Sequence, residues 1–260
     1  MKAWRWLCGL SLGACCLVQG VAAPIELTDA ELADVSGQGM IDLSNYSYAG
    51  NDFMRMTLNA DMQISANLTG IQLGQYSYTV RNGTGSDIDI PQLSLGISNG
   101  TDAQRLVTLS NPYLEFVTAG TGASEQIVGL RLGFGGISGD IGLLANQISG
   151  SLLINGGAAG NVDSSADTLG GKRWDGSCSA GATNCLALSS VSAVQAGNSS
   201  GPSRDFFISL LKQAVQFAPA ATGMSAPATA QSGFWLNWTD RLQALLVNQP
   251  VPPNLPKTGN

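Results

Sequence analysis

Histidine is missing from the whole 260-residue chain. That one gap removes Ser-His-Asp triads, Cys-His dyads, imidazole proton shuttles and most catalytic zinc sites together. Cysteine is scarce: of five, Cys8, Cys15 and Cys16 fall in the opening residues. Positive charge is scarce too, with 12 Lys and Arg against 18 Asp and Glu. Lys2 and Arg5 belong to the opening stretch, so 12 − 2 = 10 basic side chains face 18 acidic ones in the remainder. Such an acidic balance argues against nucleic acid and against anionic lipid headgroups as partners. Beyond the opening stretch no apolar run reaches the length of a membrane helix.

The chain opens MKAWRWLCGLSLGACCLVQGVAAP. Lys2 and Arg5 precede an apolar stretch from Leu7 to Val18, and small residues follow before Pro24. This pattern is that of a secretory signal peptide, residues 1–22, with cleavage after Ala22 preferred because proline right after the scissile bond impedes the peptidase. A competing reading takes Leu12-Gly13-Ala14-Cys15 as a lipobox with Cys15 lipidated; the apolar run before it is short for that. An exported chain folds in an oxidising compartment, and there Cys178 and Cys185, bracketing CSAGATNC, are expected to form a disulfide. Two cysteines without histidine make a poor zinc site, and neither a metal nor a cofactor is expected.

The clearest positive signal is FMRMTLNADMQISANLTG. Met54, Met56, Leu58, Ala60, Met62, Ile64, Ala66 and Leu68 hold every second position from Phe53 to Leu68, with polar residues between them. Period-two alternation marks a β-strand with one buried and one wet face, here the methionine side and the polar side respectively. At about 50 Å such a strand is long enough to require a bulge or an elongated sheet. Met54, Met56 and Met62 also form a candidate apolar binding face, since methionine offers a deformable surface; the competing assignment is plain sheet core. Further strands are expected at 41–48, 71–80, 88–97, 104–110, 113–118 and 126–134. Asn82-Gly83 and Asn99-Gly100 supply turns, and Pro91 marks an edge or a bulge.

The flanks read differently. Thr28 with Glu31 makes a capping box for a short helix from Asp29 to Val35. Residues 156–202 are a Gly/Ser-rich loop region holding the disulfide, with a strand expected around Leu186 to Val194. Phe206, Phe207, Leu210, Leu211 and Ala214, then Trp235, Trp238, Leu242 and Leu245, repeat at helical spacing, so two C-terminal helical segments are expected. Residues 249–260 form a Pro-rich, extended and mobile tail. One β-rich domain therefore spans 23–248.

Several words imitate chemistry. LPKTG near the C-terminus lacks the apolar and basic continuation a sortase substrate needs. Ser209-x-x-Lys212 with Lys257-Thr258-Gly259 imitates a serine β-lactamase, but the middle element is absent and the interval too short, so Ser209 and Lys212 are read as the solvent side of a helix. GNSSG around Ser199 has no histidine base to serve it. Asp87 with Asp89, and Asp163 with Asp167, fit no calcium loop and read as surface residues. No catalytic residue is nominated.

The stretch LTDAELADVSGQGMIDL resembles the mature start of a group of exported, β-rich Gammaproteobacterial proteins, several linked by name to a pilus-like surface system. The matching positions are Leu27, Asp29, Leu32, Val35, Gly37 and Gln38. The resemblance implies a Gram-negative envelope location and a β architecture, and transfers no activity. The expected fold is mainly β: an antiparallel sheet forming a sandwich or partial barrel, with a short N-terminal helix and the two C-terminal helical segments. The expected function is non-catalytic, a periplasmic, outer-membrane or surface protein with a structural or binding role toward an apolar ligand or a protein partner. An outer-membrane β-barrel and a carboxylate-dependent hydrolase are the alternatives.

Overall fold

The computed structural model describes residues 39–77, 84–98 and 101–255. The expected signal peptide, Cys15, the Asp29–Val35 helix, the two Asn-Gly turns and the Lys-Thr-Gly word lie outside the described residues. Strands dominate: β1 (Ile41–Tyr48), β2 (Asn51–Leu58), β3 (Asp61–Ile64), β4 (Ala66–Tyr76), β5 (Gly85–Leu95), β6 (Val107–Ala119) and β7 (Gln126–Leu144). They continue with β8 (Gln147–Ile148), β9 (Gly150–Asn155), β10 (Asn161–Asp163), β11 (Val191–Ala196), β12 (Phe207–Leu211), β13 (Gly233–Trp238) and β14 (Leu242–Val247). The helical content is confined to one-turn 3-10 segments among the described residues.

Strand β7, 19 residues long, is the spine. Its first half lies between β6 and β12, and its second half between β5 and β11. The pairings β7–β12–β13–β9–β14–β11–β7 close into a circuit. Strands β6, β2 and β1 extend outward from β7, so β1 is an edge strand that pairs only with β2 among the described strands. The sheet is mixed, because β9 runs parallel to both β13 and β14. Pro91 sits within β5 where its neighbour changes from β7 to β8, across the Ala145–Asn146 gap between those two strands, and its position opposite Gly70 is skipped in the pairing with β4, so the missing N–H falls at a break on both sides.

The two expected C-terminal helices are strands. Phe207 to Leu211 pairs with both β7 and β13, and residues 233–238 and 242–247 form β13 and β14. In FFISLL, Phe207 and Leu211 join one core cluster while Phe206 and Ile208 pack against another. A strand apolar on both faces loses its period of two and reads as a continuous apolar run, which periodicity alone cannot tell from a helix.

The long alternating stretch is extended, as its pattern implies, but it is three strands rather than one. Thr57 faces Tyr113, and Asp61 faces Ser110, so β2–β3 takes four steps where β6 takes three. The extra residue is a bulge at Asn59–Ala60, fastened where Asn111 N–H donates to the Ala60 carbonyl at 2.9 Å. One inserted residue exchanges the faces. Met62 and Ile64 lie opposite buried Leu109 and Val107 and pack on the main core, whereas Met54 and Met56 lie opposite Phe116 and Leu114.

The main core gathers Ile141, Leu152, Ile154, Val191, Val194, Trp174 and Leu236 from the closed circuit and its loops, and Ile88 from the adjoining β5. A second core forms on β2, β6, β7, β12 and β13, where Phe53, Val117, Phe207, Leu211 and Trp235 are covered by Val215, Phe217 and Ala230. These last three belong to the loop after β12, pinned by reciprocal Val215–Ala230 backbone bonds of 2.9 and 3.0 Å. The Cys178–Cys185 disulfide is formed, with Cα atoms 5.9 Å apart. Residues 249–255, expected as part of a mobile tail, are strapped to the body. Asn254 donates from Nδ2 to Ser65 Oγ and to the Leu95 and Arg105 carbonyls, each at 2.8 Å, and exchanges two bonds with Asn67.

Candidate functional site

Cross-strand partners share a face, so the register of β1, β2, β6, β7 and β12 assigns every side chain to one of two surfaces. One surface carries the row Ser44, Arg55, Glu115, Arg131, Ser209, Trp235 and its neighbour Thr57, Tyr113, Gly133, Phe207, Asn237. The other carries Leu43, Met56, Leu114, Leu132, Ile208 and Asn45, Met54, Phe116, Leu130, Leu210.

The first surface is the buried one. Glu115 is fully buried and its carboxylate is shared: Arg131 Nε reaches Oε1 at 2.5 Å, and Arg55 Nε reaches Oε2 at 2.7 Å. Tyr46 Oη donates to Oε2 at 2.9 Å and accepts from Arg131 Nη2 at 3.1 Å. The Arg131 guanidinium lies 4.2 Å from the Phe217 ring centre, and that of Arg55 lies 4.2 Å over Tyr113. Burial pushes the Tyr46 hydroxyl up to about 12, with Glu115 adding to the rise and Arg131 and Arg55 opposing it. Burial likewise raises Tyr113. Burial works against the Arg131 charge, but Tyr113, Glu115 and Tyr46 outweigh it and hold the guanidinium protonated. Gly133 makes room for this arrangement: a Cβ there would meet Tyr113 Oη at 2.4 Å and the Phe206 carbonyl at 2.7 Å.

A cavity of about 660 Å³ opens beside this cluster, lined by Arg55, Tyr113, Arg131, Phe207, Asn237 and Asp205 among others. Its charged groups already have protein partners. Asp205 accepts from Thr239 N–H, Thr239 Oγ1, Asp240 N–H and Asn237 Nδ2, and Asp240 pairs with Arg204 at 3.2 Å. These bonds tie Arg204 and Asp205 to Asn237, Thr239 and Asp240 beside the cavity.

No described residue covers the second surface. Leu43 is 73% exposed, Met54 59%, Leu132 55%, Leu210 47%, Met56 44% and Phe116 39%. Ile127, paired with Thr118, continues it, and a shallow hollow lined by Met54, Phe116, Thr118 and Ile127 indents it. The expectation that the methionine side of the stretch is hidden while its polar neighbours meet water is therefore reversed along β2: Phe53 and Arg55 face inward and Met54 and Met56 face out. The structure keeps Met54 and Met56 together on this face and removes Met62 to the core. Sequence reasoning missed Leu43, Phe116, Ile127, Leu132 and Leu210, because membership depends on strand pairing across the chain.

Other candidate residues find structural roles. Asp87, expected at the surface, is buried and pairs with Lys172 at 3.0 Å and Arg173 at 3.1 Å while accepting from Phe234 N–H. Asp163 caps a one-turn helix through Ser165 N–H, and Asp167 Oδ2 accepts from Gly171 N–H. Ser209 is 1% exposed on β12, not on a solvent-facing helix. Ser199 lies in a tight turn closed by Asn198 and Gly201. Among the described residues no group of three or more His, Cys, Asp or Glu side chains is placed to hold a metal ion, and no helix is long and apolar enough to cross a membrane. Comparison with protein-family models, curated proteins and solved structures finds no match for this chain.

Proposed function

We propose that this is a non-catalytic exported protein of the cell envelope or surface, and that it acts by docking an apolar surface on the uncovered face of β1, β2, β6, β7 and β12. The single observation that carries this is the inverted sheet: charged side chains buried, contiguous large apolar side chains exposed. Contiguous exposed apolar surface is what interaction sites have and isolated soluble surfaces avoid. Methionines at its centre adapt to partners of varied shape. The opening residues and the resemblance of the segment around Leu27 to Gln38 to exported proteins support the envelope location. The test is binding of an apolar, environment-sensitive dye to the folded protein. Met54→Asp with Met56→Asp should remove most of the fluorescence gain while leaving the circular dichroism spectrum intact; an unchanged gain rejects the docking face.

A second reading, an outer-membrane barrel, draws on the same inversion, since apolar-out and polar-in is barrel polarity. The apolar face spans only part of the sheet, and β4 presents Asn67, Thr69, Gln72 and Gln75 to solvent. Heat-modifiable gel mobility in detergent would favour the barrel. The hydrolase reading loses support from the committed carboxylates Glu115, Asp87, Asp205 and Asp240.

A further inference from the structure

The uncovered face does not stop at an edge of its own; it runs into the main core. Along the row Leu43, Met56, Leu114, Leu132, Ile208, Leu236, exposure is 73% at Leu43, 44% at Met56 and 55% at Leu132, with Leu114 and Ile208 half-buried, and it falls to 5% at Leu236. Ile208 and Leu236 already belong to the main cluster or pack on it. Residue type barely changes along the row; only the cover does. The overhang is thus the inner side of a two-layer β structure from which the second layer is missing.

We infer that a second copy of this chain supplies that layer, the two overhangs packing face to face about a twofold axis. This rests on the reading that the face docks an apolar surface. Charge selects the copy over a lipid leaflet. The two rows contain no charged side chain, and the face's charged border, Asp52, Glu125 and Lys212, gathers at one end near Ile127. A membrane-seated face would carry a ring of Lys and Arg; two acids with one cation, in a chain of net charge −6, repel anionic headgroups instead. A twofold axis through the uncharged rows brings like apolar residues together and leaves the border in water.

Area selects a sheet over a helix. Five strands at roughly 4.8 Å spacing and about 20 Å of strand length give a footprint of about 480 Å². One short amphipathic helix, about 10 Å wide, covers only roughly a third of that. Two such footprints total about 960 Å², below the roughly 1,200–2,000 Å² of stable complexes and in the range of weak, transient ones, so the dimer is a reversible one.

Sedimentation equilibrium of the protein purified from the envelope of expressing cells, over roughly 1 to 200 µM, tests this directly. The mass should rise from one chain to two. Met54→Asp and Leu132→Asp should each weaken association at least tenfold, whereas Leu169→Asp, at an exposed leucine outside the two rows, should leave it unchanged. Leu43→Glu on the edge strand provides a third probe if either of the first two lowers the yield of folded protein. A one-chain mass at every concentration overturns the inference, as does a two-chain mass indifferent to the face substitutions. Association that appears only after residues 1–38 are removed would make that segment the occupant, and co-sedimentation of a one-chain species with phosphatidylcholine vesicles would make it lipid; both overturn it. A one-chain mass with Met54-sensitive dye binding retained would sink the self-pairing and leave the docking face standing.

Discussion

On β2, Phe53 and Arg55 point one way and Met54 and Met56 the other, and it is the side with the charge that is buried. The two faces of this half-sheet differ in what lies over them. The 212–232 loop lays Val215, Phe217 and Ala230 on the charged side, while nothing among the described residues lies on the apolar side. A buried charge is tolerable only when its partners come with it. Glu115 meets that condition with two guanidiniums and a phenol; the exposed apolar rows have no comparable compensation among the described residues. The contrast shows that hydropathy alone does not decide which side of a strand is inside.

The largest break in this comparison comes from Glu115. Glu115→Ala leaves Arg131 charged and buried without its carboxylate and should cost about 3–5 kcal/mol in urea unfolding. Replacing the pair together, Glu115→Leu with Arg131→Met, should recover most of that loss, because apolar side chains of similar volume substitute well for a buried ion pair. A single-variant cost below about 1 kcal/mol would remove the cluster from the account of stability.

A smaller effect follows from Tyr46. Its folded-state value is raised to about 12 from the ordinary 10, so the native state holds this proton more tightly than the unfolded chain does. The associated stability is therefore fully present below pH 10 and is lost as pH rises through 12. Alkaline unfolding of wild type and Tyr46→Phe should show a steeper decline across that window for wild type. Parallel curves would mean that Tyr46 contributes no such linkage.

The smallest stability effect belongs to the other face. Met54→Asp should change the stability of the single chain, measured at protein concentrations too low for pairing, by no more than about 0.5 kcal/mol, since an exposed side chain gives up little on substitution. A loss comparable to that of Glu115→Ala would mean that Met54 is covered in the folded protein, and the contrast between the two faces would collapse.

Much of the architecture was legible in local pattern. The strands 41–48 and 126–134, the extended 53–68 stretch and the Cys178–Cys185 pair are all where residue type and spacing point. What escaped was whatever required two covers or one extra residue. FFISLL looks helical because β12 is apolar on both faces, with Phe207 and Leu211 on one core and Phe206 and Ile208 against the other. Met62 looks like a companion of Met54 because nothing in NAD announces the bulge that Asn111 fastens. Asp87 looks like a surface residue because Lys172 and Arg173 lie far along the chain. Of the seven exposed apolar residues on the uncovered face, only Met54 and Met56 were visible in the sequence, and the other five came from strand pairing.

By itself, then, the sequence determined a β-rich chain with a small disulfide loop and without imidazole chemistry, since alternation, cysteine spacing and composition are local quantities. Only the tertiary structure decided which side of the alternation is interior. That choice is made by a loop more than 150 residues away from Phe53 and by a one-residue bulge, and neither leaves a trace in the period of the strand it turns over.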